Sequence, residues 1–300
     1  MTGNPLEHGR FVTDGGLETD LIFHRGVDLP EFAAFPLVDH ADGRHLLTGY
    51  YDDYAAIARD AGAGLLLETP TWRANPDWGA ALGYDAADLD RFNQAAVELL
   101  LVFREQHPDL TVLVSGNIGP RGDGYVAGEK ADPDEAADYH AAQVRSLTRA
   151  GVDAVHALTL TGPEEAVGVV RAARDAGIPV GISFTVETDG RLPDGTPLAD
   201  AIGQVDAAAP PDWFGVNCAH PTHVTPGLDG GAWQSRISTV RPNASTMTHE
   251  ELDAMEVLDE GDLGHLASSL GELRADLPAL TTIGGCCGTD ARHVRALWGV

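Results

Sequence analysis

Cys218, Cys286 and Cys287 are the only cysteines in this 300-residue chain. Two of them stand side by side in "GGCCG", Gly284 to Gly288, and the third ends "GVNC", Gly215 to Cys218. A long chain with few cysteines fits a reducing compartment, where thiol clusters serve as metal or catalytic sites. Three thiolates without a fourth match an open zinc site, with three protein ligands and one position left for water or substrate. Neighbours on an ordinary strand point to opposite faces, so the glycines would have to let the backbone turn before adjacent thiols could reach one ion. Two other readings fit the same residues: a vicinal-thiol redox switch, and Cys218 as a small buried side chain. His220 and His223 offer a fourth ligand and a closed structural site, although loop histidines are more often exposed.

The elements around these residues decide whether the thiols can meet. Eight short apolar runs read as buried strands: around Phe11 and Val12, then 64–68, 111–116, 153–158, 179–184, 213–217, 236–240 and 279–285. Helical spacing fills most of the gaps, over His45 to Ala61, Asp88 to His107, Pro133 to Ala150 and Pro163 to Ala176. Glycine follows alanine at Gly62, Gly151 and Gly177, where a left-handed residue would end a helix. "DPDE" at Asp132 and "TGPEE" at Thr161 place a capping residue and a first-turn proline before two others. Alternating strands and helices imply a parallel α/β sheet, and eight strands suggest a single (β/α)8 TIM barrel spanning residues 1–300, with an open doubly wound sheet as the alternative. The stretch from Pro221 to Gln234 reads as a loop. In a barrel the ends of strands six and eight face one space, so all three thiols are expected at the carboxyl rim.

Charge narrows the partners. Asp and Glu number 46 against 19 Lys and Arg, a formal net charge of -27, and Lys130 is the one lysine. Such a surface repels nucleic acid and anionic membranes. The carboxylates are spread along the chain and not gathered in a tail, a pattern expected of adaptation to high salt. No apolar stretch approaches a membrane span and no signal peptide is evident, so a cytoplasmic location is expected. The charge pattern says nothing against a homo-oligomer.

Seven segments together resemble the homocysteine S-methyltransferase family: "TDGGLETDL" from Thr13, "ETPTW" from Glu68, "GNIGPRGDGY" from Gly116, "ISFT" from Ile182, "DGTPLADAI" from Asp194, "GVNC" and "GGCCG". The last two are the most specific. The resemblance covers nearly the whole chain and implies that Cys218, Cys286 and Cys287 hold Zn²⁺, with the substrate thiol in the fourth position. A thiol of pKa about 8.5 is mostly protonated at neutral pH, and zinc would hold it as the thiolate that attacks a methyl group. By the same resemblance Asp14 would contact the substrate amino group, Asn217 would orient the Cys218 loop, and Thr69, Thr71 and Trp72 would line the pocket. Asp14 also reads as a cap on its own Gly15-Gly16 turn, and Trp72 as core.

Three positions depart from the family pattern. Leu158 stands where a strand-four glutamate usually binds the substrate ammonium, with Thr159 kept beside it; Glu18 replaces a small residue in the first glycine turn; Glu187 and Asp189 follow strand five, where Glu187 could supply the missing carboxylate. The expected reaction is zinc-dependent methyl transfer from a small donor, S-methylmethionine or S-adenosylmethionine, to a thiol, foremost homocysteine giving methionine. A separate corrinoid protein is another route for the methyl group. A sulfonium donor calls for aromatic faces, for which Trp72, Trp78 and Tyr125 are candidates. Leu158 keeps open a protein that binds another thiol or has lost methyl transfer, while three thiolates argue against Lewis-acid hydrolase chemistry.

Overall fold

Strands β4 (Ala154–Leu160), β5 (Val180–Phe184) and β6 (Trp213–Asn217) are buried at every residue, as parallel strands must be when helices cover them outside and other strands face them inside. With β1 (Phe11–Thr13), β2 (Gly64–Glu68), β3 (Val112–Ile118), β7 (Ile237–Arg241) and β8 (Thr282–Ile283) they pair in sequence order into a closed parallel barrel. The computed structural model describes residues 4–7, 9–128 and 130–300. All eight expected strands are present, and the closed barrel excludes the open sheet.

Helices over Ala41–Ala61, Ala86–Gln106, Pro133–Ala150 and Pro163–Ala176 answer the expected periodicity, the last two residue for residue. Gly62, Gly151 and Gly177 take the left-handed conformation that ends three of them. Asp132 caps its helix by accepting from the backbone N–H groups of Asp134 and Glu135. Thr161 does not do the same, because Gly162 occupies the N-cap position and offers no side chain. The segment read as a loop after Pro221 folds into short helical turns, Pro221–Val224, Thr225–Gly227 and Ala232–Arg236. Prolines and glycines there are compatible with single turns although no apolar period marks them.

The barrel interior is layered. Phe11, Leu66, Ala154 and Trp213 seal the amino-terminal end, with Leu6 packed against them. Above them the interior turns polar, with Ser115, His156, Ser183, Thr239 and Thr282 all buried. Polar groups in that layer stand directly below the carboxyl rim, where they can brace the charged residues that end the strands. No helix among the described residues is long and apolar enough to cross a membrane.

Candidate active site at the carboxyl rim

Cys218 follows β6, and Cys286 and Cys287 follow β8, so the three thiols flank the end of β7. Their sulfur atoms lie within 4.8 Å of one another. Two close approaches of backbone make this possible. A side chain on Gly284 would strike the backbone of Thr13 and Asp14, and Gly288 adopts a φ of 77° as the chain leaves the cysteine pair. Cys218 has no such freedom and still sits at φ 54°. A non-glycine residue held there costs on the order of 1–3 kcal/mol, so its surroundings must impose the conformation. Its N–H donates to the Arg241 carbonyl at 3.1 Å. Its own carbonyl accepts from Asn243 Nδ2 at 3.0 Å, Thr185 Oγ1 at 3.2 Å and His249 Nε2 at 2.8 Å.

Cys218 and Cys286 are joined as a disulfide in this structure and Cys287 is free. The metal-competent form is therefore the reduced one. The donor set fits a tetrahedral thiolate ion: Cys287 Sγ lies 3.8 Å from Cys218 Sγ, and sulfurs about 2.3 Å from a tetrahedral centre stand about 3.8 Å apart. Burial pushes the Cys287 thiol up to about 11. Neither His220 nor His223 joins the cluster. His220 Nδ1 pairs with Thr222 Oγ1 at 2.8 Å, and His223 Nε2 with the Thr246 carbonyl at 3.0 Å.

Below the sulfurs a small cavity of about 60 Å³ is lined by Asp14, Glu18, Glu68, Thr69, Trp72, Leu158, Asn217, Arg241 and the three cysteines, among others. Asn217 ties the cavity together. Its Oδ1 accepts from the Thr159 N–H at 2.8 Å, and its Nδ2 donates to Thr159 Oγ1 at 2.7 Å and approaches Cys286 Sγ at 3.7 Å. Thr159 is itself left-handed, at φ 62°, so one amide holds both a strained turn and a sulfur. Leu158 lies buried in the wall, in the place where the family pattern has a carboxylate.

Asp14 does not cap its own turn. Oδ1 pairs with Arg241 Nη2 at 2.9 Å and accepts from Thr13 Oγ1 at 3.1 Å, while Tyr50 reaches Oδ2 at 3.5 Å. Burial raises its pKa and the Arg241 guanidinium opposes the rise. Thr69 reaches the cavity, whereas Thr71 does not line it and is bonded to Thr69 Oγ1 at 2.7 Å and to the Asn117 carbonyl at 2.7 Å. Glu187 is not brought to the cavity. Its Oε1 lies 2.8 Å from His249 Nδ1, so it braces the ring whose other nitrogen holds the Cys218 carbonyl. Trp78 lies outside too, with the Arg73 guanidinium 3.6 Å above its ring.

Three residues of this centre have no role in the sequence reading: Glu68, His156 and Arg241. Glu68 Oε1 lies 2.8 Å from His156 Nδ1 and 3.9 Å from Arg241 Nη1, and His156 Nε2 lies 2.8 Å from Ser183 Oγ. Burial alone would raise the Glu68 pKa, yet His156 and Arg241 outweigh it and hold the group below its ordinary value. The signal was positional. Glu68, Asn217 and Arg241 are the last residues of β2, β6 and β7, the places from which a barrel projects functional groups.

A wider cavity of about 330 Å³ opens from the sulfurs toward solvent, with Phe23, Phe32, Trp72 and Tyr125 in its walls. Asp123, Asp253 and Asp259 line it against one cation, Arg73. Burial drives the pKa of Glu18, in the smaller cavity, up to about 7.

Comparison with known proteins agrees with this architecture. The family model for homocysteine S-methyltransferase matches residues 11–299. A homocysteine S-methyltransferase from Escherichia coli (strain K12) is 28% identical over 95% of this chain and 93% of its own length. A methionine synthase from Mycobacterium leprae (strain TN) is 33% identical over 43% of this chain, which is 11% of that protein. Among solved structures, the homocysteine methyltransferase MmuM from Escherichia coli shares the fold at 24% identity. Its oxidized form gives a TM-score of 0.76 over 97% of this chain and 95% of that one, and its metallated form 0.74 over 97% and 96%. The chain belongs to the homocysteine S-methyltransferase family and is a thiol S-methyltransferase.

Proposed function

We propose that this enzyme methylates homocysteine, with Zn²⁺ held by Cys218, Cys286 and Cys287 and a compact sulfonium compound as methyl donor. The observation that carries the reading is the convergence of three sulfurs within 4.8 Å over a cavity that ends in buried carboxylates. Zinc, when bound, supplies a positive centre that keeps the substrate sulfur deprotonated and nucleophilic near neutral pH.

The chain's own residues do the rest by position. Asn217 fixes Thr159 and Cys286, and the Glu187–His249 pair fixes the carbonyl of Cys218, so the sulfurs are placed before substrate arrives. Asp14 and Glu68 give the small cavity a negative floor suited to an ammonium group. Trp72 and Tyr125 line the wider cavity, and its three carboxylates against one guanidinium favour a cationic donor. At about 330 Å³ this cavity is at the low end of small-molecule sites, which favours an amino-acid sulfonium over a folate. Methyl transfer to a thiolate requires no proton at the moment of attack, consistent with walls that position and dehydrate more than they exchange protons.

The test is zinc-edge X-ray absorption on reduced, zinc-loaded protein at high salt, with and without homocysteine. A change from three sulfur neighbours to four on adding the thiol is the expected result. Three sulfurs in both spectra would point to a different thiol, and fewer than three in the starting spectrum would remove the metal assignment.

A further inference from the structure

We infer that Glu68 is the carboxylate that receives the ammonium group of the thiol substrate, taking over from β2 the task that Leu158 cannot perform from β4. This rests on the reading of the site as one for an amino-acid thiol. The observation behind it is an imbalance at the cavity floor. Glu68 is 2% exposed, and Oε1 is engaged by His156 while Oε2, equally buried, has no hydrogen-bond partner among the described residues. The Ser115 hydroxyl, opposite Glu68 on β3, is near enough to favour its ionised form but falls short of hydrogen-bond geometry. A buried charged acceptor without a donor is costly, and native interiors rarely leave one so.

Charge points the same way. Asp14 and Glu68 place two carboxylates at the floor, with the Arg241 guanidinium between them and the His156 ring against Glu68 Oε1. Neither of these basic groups reaches Oε2, so an arriving ammonium would be favoured there and a further anion opposed. The terminal torsion of a glutamate is broad, so the carboxylate can turn Oε2 toward a donor with its stem in place. Leu158, in the wall of the same cavity, contributes shape and no charge. Asp14 alone is a poor substitute, since Oδ1 is already shared by Arg241 and Thr13.

The proposal is tested by crossing two ligands with two proteins. Homocysteine and its des-amino analogue 4-mercaptobutanoate are titrated calorimetrically into zinc-loaded, reduced wild type and E68Q. A charge-assisted hydrogen bond makes homocysteine the tighter ligand of wild type by about 10- to 100-fold. In E68Q that preference is expected to collapse, with 4-mercaptobutanoate binding within about twofold of wild type. Equal weakening of both thiols in E68Q, or an undiminished preference, would overturn the role of Glu68 alone. Failure of wild type to bind either thiol would sink the functional reading itself. If E68Q does not fold, L158E on the wild-type background decides the matter. With Glu68 already holding the ammonium, the added carboxylate should improve homocysteine binding by less than about threefold, and a gain of about tenfold or more would show an ammonium left unserved.

Discussion

Arg241 Nη2 and Asp14 Oδ1 lie 2.9 Å apart across the seam that closes the barrel, both side chains almost fully buried. Arg241 also donates from Nε to the Gly285 carbonyl at 3.0 Å and from Nη2 to the Gly15 carbonyl at 3.2 Å. One guanidinium thus joins the ends of β7, β8 and β1 beneath the cysteine pair. Burial works against its charge, but Asp14 and Glu68 outweigh that and raise its pKa.

Truncating this cation should therefore cost more than an ordinary surface change. R241M leaves Asp14 and Glu68 buried without a counter-charge, and breaking a buried pair from one side costs about 3–5 kcal/mol. Urea unfolding at fixed high salt measures it. A loss below about 1 kcal/mol would mean that the two carboxylates take up protons or water and that Arg241 is dispensable to the rim.

Asn217 should matter to metal more than to fold. Its amide bonds to Thr159 and approaches Cys286 Sγ, and groups that orient metal ligands typically change affinity by about 10–100-fold when removed. N217A is expected to lower zinc affinity by that amount, read by competition with a chromogenic chelator on reduced protein. Unchanged affinity with a lowered melting temperature would confine Asn217 to holding the strained Thr159 turn.

The parts of this centre that were legible in the sequence are those whose residue type is rare. Three cysteines in 300 residues, two of them adjacent among glycines, single themselves out although a packing role for Cys218 stayed open, and strands with glycine-terminated helices between them narrow the fold to a parallel α/β sheet. Glu68 and Arg241 were not legible because a lone polar residue at the end of an apolar run reads equally well as the start of a loop, and His156 because it stands alone inside one, where burial is visible only once the strands are paired. Glu187 misled for the opposite reason. Its place after β5 is close to the rim in sequence, but its side chain turns to His249 instead of the cavity. Thr71 shows the same limit, since strand alternation alone does not say which of two threonines faces substrate and which supports it.

His24 gives a pH dependence of defined sign. Nδ1 lies 2.9 Å from Asp20 Oδ1 and Nε2 2.7 Å from Glu260 Oε1, with Asp290 at 4.0 Å and Arg25 and Arg292 bonded to the same carboxylates. The Asp20 hydrogen bond raises the His24 pKa, with Glu260 adding to it. A raised histidine contributes stability that is complete below its unfolded pKa of about 6.5 and is lost as pH rises through the folded value. H24Q should melt lower than wild type at about pH 5.5 and equal to it at about pH 9, with a difference under about 1 kcal/mol because the ring is partly solvated. A gap that persists at the alkaline end would assign the effect to packing.

Salt should stabilise this protein. With 46 carboxylates against 19 basic residues, self-repulsion across the surface exceeds the attraction of the exposed ion pairs, such as Arg59 with Asp109 and Arg295 with Asp60. Salt weakens both, since the screening length falls from about 10 Å at 0.1 M to about 3 Å at 1 M, and because the repulsion is the stronger of the two, its loss sets the sign. Raising sodium chloride from about 0.1 to about 2 M should lift the melting temperature by at least about 5 °C, equivalent to a few kcal/mol for a chain of this size. Reversing three exposed carboxylates, E98K, E105K and E272K, should lower the salt needed for half of that gain. Potassium chloride should act like sodium chloride if screening is the cause. A melting temperature indifferent to salt, or one that falls with it, would mean that specific ion pairs and not net charge govern the fold, and the high-salt reading of the composition would be withdrawn.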